Sequence, residues 1–238
     1  MIDGTISGGT AAAATAGAQG FDSDTTIDPG AAAALFAAGF RFAVRYLSRT
    51  TPQNPGDLGA PEVATILDAG LALMAVQHCP RSGWAPSAEL GGSYGAAAVI
   101  NARSVGLPPP ITLWFDLEGV AAYATAADTI AHVNSWAGAV AAAGYQPGIY
   151  VGANQPLTAD ELYWRLRVQR YWRSASIVPD ISYRGYCMAQ ALAPSPIATG
   201  TAGAIAIDRD VTLADNFGDL PQWLAPSPAA IAAPRIAS

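Results

Sequence analysis

Short β-rich runs alternate with helical stretches along most of this chain, and no other feature constrains the fold as strongly. The run Leu71–His78 is almost entirely apolar, as is typical of a parallel strand covered on both faces. Strand–helix–strand units of this kind build a parallel sheet. The predicted strands are Gln19–Asp22, Phe40–Leu47, Leu71–His78, Ile111–Glu118, Gly148–Gly152, Tyr171–Ala175, Tyr186–Ala191 and Ala204–Asp208.

Capping residues indicate where the intervening helices begin. Asp28 directly precedes Pro29, which combines an N-cap with proline at the first helical position. Thr158 and Glu161 have the spacing of a capping box. Eight strands with helices between them predict an α/β fold, a single (β/α)8 TIM-like barrel that is irregular in its last three units.

The chain length fits one such barrel with short extensions. A (β/α)8 barrel typically needs about 250 residues, and this chain has 238. We predict that the barrel occupies residues 19–224. Residues 1–18 are rich in Gly, Ala and Thr and predict a flexible leader, and residues 225–238 predict a Pro/Ala-rich tail.

Charge and hydropathy exclude two classes of partner. The net charge is −6, whereas nucleic-acid binding needs a basic surface, so we expect no nucleic-acid partner. Apolar windows such as Leu71–Cys79 are far shorter than the roughly 20 residues that a membrane span requires, so we expect no membrane insertion. The sequence has no classical signal peptide, and we expect a monomer.

Acidic residues stand where the predicted strands end, although Asp and Glu together number only 18. Asp22 ends the first strand, Asp116 and Glu118 end the fourth, and Asp208 and Asp210 lie at the end of the last. In a β/α barrel the carboxyl ends of the strands form the site, so these side chains are expected to converge. Side chains alternate along a strand, which places Asp116 and Glu118 on one face.

Two carboxyl groups held close together favour acid–base chemistry. They do not both ionise easily, so one pKa rises and that group still donates a proton near neutral pH. Glycoside cleavage needs such an acid together with a second carboxylate. Simpler interpretations stay open: Asp116 and Glu118 as an acidic loop, Asp22 as the cap of a turn, and Asp208 and Asp210 as members of a local ion pair.

Four stretches of the sequence carry a family resemblance. The chain resembles a bacterial glycoside-hydrolase-like domain of unknown function and, behind it, the glycoside hydrolase family 25 lysozymes. The fifth and seventh strands fit more loosely, at 148–150 and 188–190. The four stretches are Gly20–Asp22, Phe42–Leu47, Trp114–Glu118 and Ala206–Asp208.

The resemblance implies catalytic roles for four acids and requires no cofactor and no metal. Glu118 would be the general acid, and Asp116 the nucleophile or the group that orients the acetamido substituent. Asp22 and Asp208 would stabilise positive charge on the sugar, with Asp210 as a rival for the role of Asp208. A hard cation held by the acidic mouth is the alternative.

Seven further residues complete the predicted site as substrate-binding groups. Trp84 lies in the loop after the third strand and is expected to offer an aromatic platform. An inward-facing Arg45 would lower the pKa of the neighbouring carboxyls; the alternative is a structural ion pair with Asp22 or Glu118. The remaining tryptophans, including Trp164, could stack on sugar rings, but most are interpreted as core residues. The substrate-binding set is Arg45, Tyr46, His78, Trp84, Tyr150, Gln190 and Asp210.

These features together predict a lysozyme-like glycosidase, specifically a muramidase that cuts the glycan chain of cell-wall peptidoglycan. Such an enzyme would act outside the cytoplasm, in the cell wall or periplasm or after release by lysis. A cell-wall glycan-binding barrel without catalytic activity is one alternative. A virion or structural attachment domain, anchored through residues 1–18 or 225–238, is the other.

Overall fold

A barrel of eight strands forms the centre of the structure, a computed structural model that describes residues 9–191, 197–198 and 204–227. Five helices lie between the strands: α1 (Pro29–Ala37), α2 (Ala60–Asp68), α3 (Ala88–Ser104), α4 (Ala126–Ala142) and α5 (Ala159–Arg165). The strands are β1 (Gly9–Ala13), β2 (Gln19–Ser23), β3 (Phe42–Leu47), β4 (Ala72–Gln77), β5 (Thr112–Leu117), β6 (Gln146–Val151), β7 (Arg170–Arg173), β8 (Met188–Ala191), β9 (Ile197–Ala198), β10 (Ala204–Ile205), β11 (Asp208–Thr212) and β12 (Gln222–Pro226).

The barrel is mixed rather than fully parallel. Strands β2 to β8 pair in parallel in chain order. Strand β11 then closes the ring by pairing antiparallel with both β8 and β2. The predicted α/β barrel with irregular last units is confirmed. The last strand differs in detail, because residues 204–205 pair with 197–198 and the chain then enters the barrel as β11 in the opposite direction.

Large rings fill the barrel interior beneath its mouth. Trp114 and Trp172 meet edge to face with ring centroids 5.8 Å apart. Gly148 allows this packing, since a Cβ added there would lie 2.4 Å from the Trp114 ring. On the outside, α3 and α4 approach closely at Gly91, where a Cβ would lie 2.1 Å from the carbonyl oxygen of His132. The interior is therefore a packed core that leaves no room for a ligand beneath the mouth.

The helix caps form as the sequence indicates. Asp28 Oδ1 accepts a hydrogen bond from the backbone N–H of Ala31 at 2.7 Å. Thr158 and Glu161 form the reciprocal capping box of α5. Within the described residues, no helix is long and apolar enough to cross a membrane.

Part of the predicted leader is ordered. Gly9–Ala13 forms β1 and pairs antiparallel with Gln222–Pro226, the strand that overlaps the first residues of the predicted tail. The pairing is possible because small residues in β1 lie flat against β12; a Cβ at Gly9 would lie 2.8 Å from the Ala225 carbonyl oxygen. The rest of the predicted leader and tail, residues 1–8 and 228–238, lies outside the described residues.

Arg45 faces the helices, so its predicted place in the mouth is wrong. Strand alternation turns Val44 inward and Arg45 outward, where the guanidinium is fully buried. Its Nε donates to Glu62 Oε1 at 2.6 Å, and its other nitrogens donate to the carbonyl oxygens of Ser23 and Gly56. The ion pair is structural, but its partner is Glu62 on α2 rather than Asp22 or Glu118.

Removing Arg45 is expected to destabilise the fold strongly. Arg45→Met leaves the Glu62 carboxylate buried without its cation, so the free energy of unfolding should fall by about 3–5 kcal/mol. Urea denaturation at pH 7 measures the change. The double variant Arg45→Met/Glu62→Met should recover much of the loss, and a loss below about 1 kcal/mol in the single variant would contradict this account.

Candidate active site

A cavity of about 380 Å³ opens at the carboxyl ends of the parallel strands. Carboxyl groups from β2, from the end of β5 and from β11 line it together, so three separate elements converge as expected from the sequence. Tyr46, His78 and Cys79 form the aromatic and thiol side of the wall. The acidic lining consists of Asp22, Asp24, Asp116, Glu118 and Asp208.

Asp116 and Glu118 lie on the same face at the end of β5. Asp116 is buried, and its Oδ1 has no hydrogen-bond partner among the described residues. Burial, and after it the charge of Glu118, raises the pKa of Asp116 well above its usual range. Burial also raises the pKa of Glu118. At least one carboxyl of the pair is therefore disposed to hold a proton at a pH where free carboxylic acids are ionised.

Gly152 shapes the space that Glu118 occupies. A Cβ added at Gly152 would lie 2.4 Å from the Cβ of Glu118 and 2.8 Å from its Oε2. The nearer atom lies at the base of the side chain, so bond rotation does not relieve the overlap. The absence of a side chain at Gly152 thus leaves the space that Glu118 occupies where it leaves the strand.

The inverted strand β11 brings two acids to Asp22. Asp208 lies directly opposite Asp22 in the antiparallel register. Asp22 Oδ1 accepts a hydrogen bond from the Tyr46 hydroxyl at 3.1 Å, and its Oδ2 accepts one from Gln190 Nε2 at 2.8 Å. Burial, opposed by the Gln190 bond and aided by the charge of Asp208, raises the pKa of Asp22 to about 6.

Asp210 lies deeper than Asp208. Its Oδ1 accepts a hydrogen bond from Trp172 Nε1 at 3.0 Å, and the side chain is buried. Burial and the adjacent charge of Asp22 raise the pKa of Asp210 well above its usual range. The two carboxyls shift each other's pKa, and Asp210 Oδ2 is buried with no hydrogen-bond partner among the described residues. We infer that a proton held on Asp210 is shared with Asp22. Asp208, by contrast, is exposed at the rim.

Four of the residues predicted to bind substrate surround these acids. Tyr46 stacks on His78 with ring centroids 4.4 Å apart, and His78 Nε2 lies 2.8 Å from Asp57 Oδ1. The Tyr150 hydroxyl donates to Gln190 Oε1 at 2.9 Å. Gln190 also donates to Asp22, so Tyr150, Gln190, Asp22 and Tyr46 form one hydrogen-bonded chain. Tyr46 and His78 line the cavity, whereas Tyr150 and Gln190 lie behind its lining.

Trp84 is not a surface platform, and its predicted role is wrong. The loop after β4 folds back so that the ring is buried against Phe115 and His132. Its Nε1 donates to the backbone carbonyl oxygen of Glu118 at 2.8 Å. Trp84 therefore supports the backbone of the acid from behind and does not offer a face to ligand.

Cys79 belongs to the mouth, although sequence reasoning passed over it. The Sγ atom lies 3.9 Å from Glu118 Oε1. The sequence feature that could have identified it is its position directly after His78, at the carboxyl end of β4. Ligand-type atoms of Cys79, Asp116 and Glu118 lie within 4.8 Å of one another, a spacing compatible with a divalent cation.

A barrel of this topology, with acids from several strands around one mouth, defines a glycoside-hydrolase-like protein. Residues 33–212 match the family described as the Rv2525c-like, glycoside hydrolase-like domain. The chain belongs to that family, which confirms the resemblance noted in the sequence. No curated protein matches the chain.

Solved structures share the fold at low identity. An uncharacterized B. stearothermophilus protein is 18% identical with a TM-score of 0.61, over 82% of this chain and 96% of that one. The Tat-secreted protein Rv2525c of Mycobacterium tuberculosis is 16% identical with a TM-score of 0.62, over 86% and 99%. A family 25 glycosyl hydrolase from Bacillus anthracis is 13% identical with a TM-score of 0.57, over 83% and 89%.

The buried acids should make the fold less stable as pH rises. Carboxyls with a raised pKa in the folded state contribute stability that is complete below their ordinary pKa and is lost as pH rises through the folded pKa. For Asp22 this window runs from 3.8 to about 6. The free energy of unfolding, measured in urea, should therefore fall between pH 4 and pH 8.

Asp210→Asn should remove part of this pH dependence, because the amide stays neutral and donates to Asp22. The variant should be more stable than wild type by about 1.4 kcal/mol or more at pH 8, because folded wild type must hold a proton that the unfolded chain releases, and nearly equal at pH 4. Asp68→Asn, at the exposed end of α2, is the matched control. An Asp210→Asn effect that is equal at both pH values would contradict the proposed proton sharing.

Proposed function

We propose that this protein is a muramidase-type glycosidase acting on the glycan chain of bacterial peptidoglycan. The observation that carries the proposal is the Asp116–Glu118 pair facing Asp22 and Asp208 across one cavity. Cleavage of a glycosidic bond needs one acid that holds its proton and further carboxylates that stabilise positive charge at the sugar. The mouth offers both within the same cavity.

Glu118 acts as the general acid in this proposal. It is half-buried, so it reaches substrate, and burial raises its pKa. Asp116 acts beside it as the nucleophile or as the acceptor for an acetamido N–H, and its unpartnered Oδ1 suits either role. Asp22 and Asp208 stabilise the positive charge that develops on the sugar ring. Tyr46, His78, Tyr150 and Gln190 bind or position the substrate around them. Asp210 was predicted to contact substrate, but it is buried outside the cavity lining and can act only through Asp22.

No arginine is among the described residues that line the cavity, which supports an acid mechanism. Arg45 is committed to Glu62 on the far side of β3, and the charge of Arg49 reaches Cys79 only as a minor influence. A guanidinium beside Glu118 would lower its pKa and weaken it as a proton donor. The proposed reaction uses carboxyl groups alone and requires no cofactor.

We also propose that the protein works as a monomer outside the cytoplasm, where peptidoglycan is found. The Mycobacterium tuberculosis protein Rv2525c, which shares the fold, is Tat-secreted. Family 25 glycosyl hydrolase and muramidase structures share the same barrel. These likenesses support the location and the substrate class.

Glu118→Gln should slow hydrolysis strongly while leaving the fold intact. The amide has no acidic proton to transfer to the leaving oxygen, so release of reducing ends from purified peptidoglycan should fall by about 10²–10⁴-fold. Asp116→Asn should fall similarly, and Glu89→Gln, in the exposed first turn of α3, should match wild type. Wild-type hydrolysis should also decline as pH rises through the raised pKa of Glu118.

Mass spectrometry of the fragments identifies the bond that is cut. New reducing muramic acid ends are the expected product. A folded wild-type protein that binds the wall without releasing fragments would overturn the enzymatic proposal in favour of a glycan-binding barrel.

Gly152→Ala should lower the hydrolysis rate without unfolding the protein. The new methyl group displaces Glu118 at its Cβ, and a displacement of about 1 Å in a reacting group costs roughly 10²-fold. Gly92→Ala on α3, where a Cβ meets nothing within 4 Å, is the matched control. Equal rates for the two variants would show that the position of Glu118 is unimportant.

A further inference from the structure

Three aromatic side chains, two of them largely exposed, gather at the end of the barrel opposite the acidic mouth. Trp164 is 64% exposed and Tyr183 is 68% exposed, and their ring centroids lie 5.6 Å apart. Tyr163 joins both rings, at 4.6 Å from Trp164 and 5.6 Å from Tyr183. Trp164 was interpreted from the sequence as a core residue, so its exposure is unexpected. We call these three residues the aromatic patch.

Two residues of the aromatic patch, Tyr163 and Trp164, line a cavity of about 570 Å³, and Tyr183 extends the patch beyond it. Gln146 and Arg170, at the first residues of β6 and β7, line this cavity, which places it at the amino ends of strands whose carboxyl ends form the mouth. Tyr163 and Trp164 line its apolar side, and Arg167 and Gln169 lie at its exposed rim. A volume of this size suits a small number of sugar-sized rings.

Hydrogen bonds hold the backbone around Tyr183 in an unusual conformation, although its ring is exposed. Tyr183 has a φ of 64°, a left-handed conformation that is unfavourable for a bulky residue. Asn216 Nδ2 donates to its carbonyl oxygen at 3.0 Å, and the neighbouring Ser182 hydroxyl donates to Asp160 at 2.6 Å. Arg184 is fixed by Asp215 at 2.7 Å. The backbone therefore presents an exposed ring at an energetic cost, which is typical of ligand-contacting positions.

The chemistry of the cavity fits a sugar that carries a carboxylate. The C–H faces of a sugar ring pack on aromatic rings, while its hydroxyls need planar polar groups such as those of Gln146 and Gln169. Arg170 and Arg184 are neutralised by Asp219 and Asp215. Arg167 forms no ion pair with any described residue, so its guanidinium stays available for an anion in a protein of net charge −6.

We propose that the aromatic patch and its cavity form a second glycan-binding surface, which holds a carboxylate-bearing polysaccharide such as peptidoglycan away from the acidic mouth. The choice of peptidoglycan rests on the proposed function. Because the two surfaces lie at opposite ends of the barrel, the patch keeps the protein on the insoluble wall while the mouth stays free. It thus raises the local concentration of substrate without touching the reacting bond.

Retention on sacculi that have been stripped of protein tests this inference. The assay uses the full chain carrying Glu118→Gln, so that no cutting occurs, and compares it with the same chain carrying Trp164→Ala or Arg167→Ala. Trp164→Ala should weaken retention by about tenfold or more, as expected when an aromatic anchor is lost. Arg167→Ala should weaken retention on sacculi but change little on chitin, which lacks the carboxylate.

Ile100→Ala, on the exposed face of α3, is the matched control and should bind like the parent. Thermal unfolding confirms that each variant is folded. Tyr183→Asn provides a second removal of a ring, because asparagine tolerates the left-handed backbone, and it should weaken retention in the same direction.

Retention of the Trp164→Ala and Tyr183→Asn variants at the level of Ile100→Ala would overturn the inference. Retention that appears only on walls that still carry protein would also overturn it, because the partner would then be a protein. A concentration-dependent dimer that is lost in Trp164→Ala would overturn it too, because the patch would then bind a second copy of this chain. Hydrolysis by wild type decides the proposed function separately, so either proposal can fail while the other survives.

Discussion

Closure of the barrel by an antiparallel strand is the constraint on which the acidic mouth depends. Because β11 runs against β2, its first residue, Asp208, lies level with Asp22 at the rim. Two residues further on, Asp210 points into the barrel and meets both Trp172 and Asp22. A parallel eighth strand would have placed these two acids in the reverse order of depth. The direction of one strand therefore decides which acid reaches solvent and which is buried.

Burial then determines how the acids behave. Asp22, Asp116 and Asp210 are all buried, and for each of them burial is the largest cause of the raised pKa. Neutralisation by arginine would be the usual remedy, but Arg45 is turned by strand alternation toward Glu62. The carboxyl groups of the mouth therefore share protons with one another. Holding these protons lowers the free energy of unfolding more and more as pH rises. This is the electrostatic state that acid-assisted cleavage of a glycosidic bond requires.

Sequence reasoning located the strand ends well because a local pattern determines them. Asp116 and Glu118 follow a run of apolar residues, and Asp22 ends a short strand before a capped helix. A barrel brings the carboxyl ends of its parallel strands together. It failed where a side chain's direction depends on the tertiary structure. Arg45 lies on the outer face of β3, where it pairs with Glu62 on α2. Trp84 is buried behind Glu118 because the loop after β4 folds back toward the barrel. Residues 9–13 looked flexible because the partner that orders them, β12, lies more than two hundred residues away in the sequence.

The exposure of Trp164 likewise depends on the tertiary structure and could not be predicted from the sequence. An aromatic residue in a short helix is most simply interpreted as a core residue. In the folded structure the Trp164 ring instead faces solvent beside Tyr183. The two ends of the barrel thus differ in chemistry, one acidic and the other aromatic with arginine at its rim. A polymer longer than the barrel is the kind of ligand that would use both.

The central claim is that the Asp116–Glu118 pair meets a glycosidic bond. A crystal structure of Glu118→Gln soaked with a peptidoglycan tetrasaccharide tests it most directly. The account predicts a glycosidic oxygen within hydrogen-bonding distance of the residue-118 amide, with the acetamido group or the anomeric carbon of the adjoining sugar beside Asp116. A tetrasaccharide seated elsewhere, with the mouth filled by solvent, would contradict it.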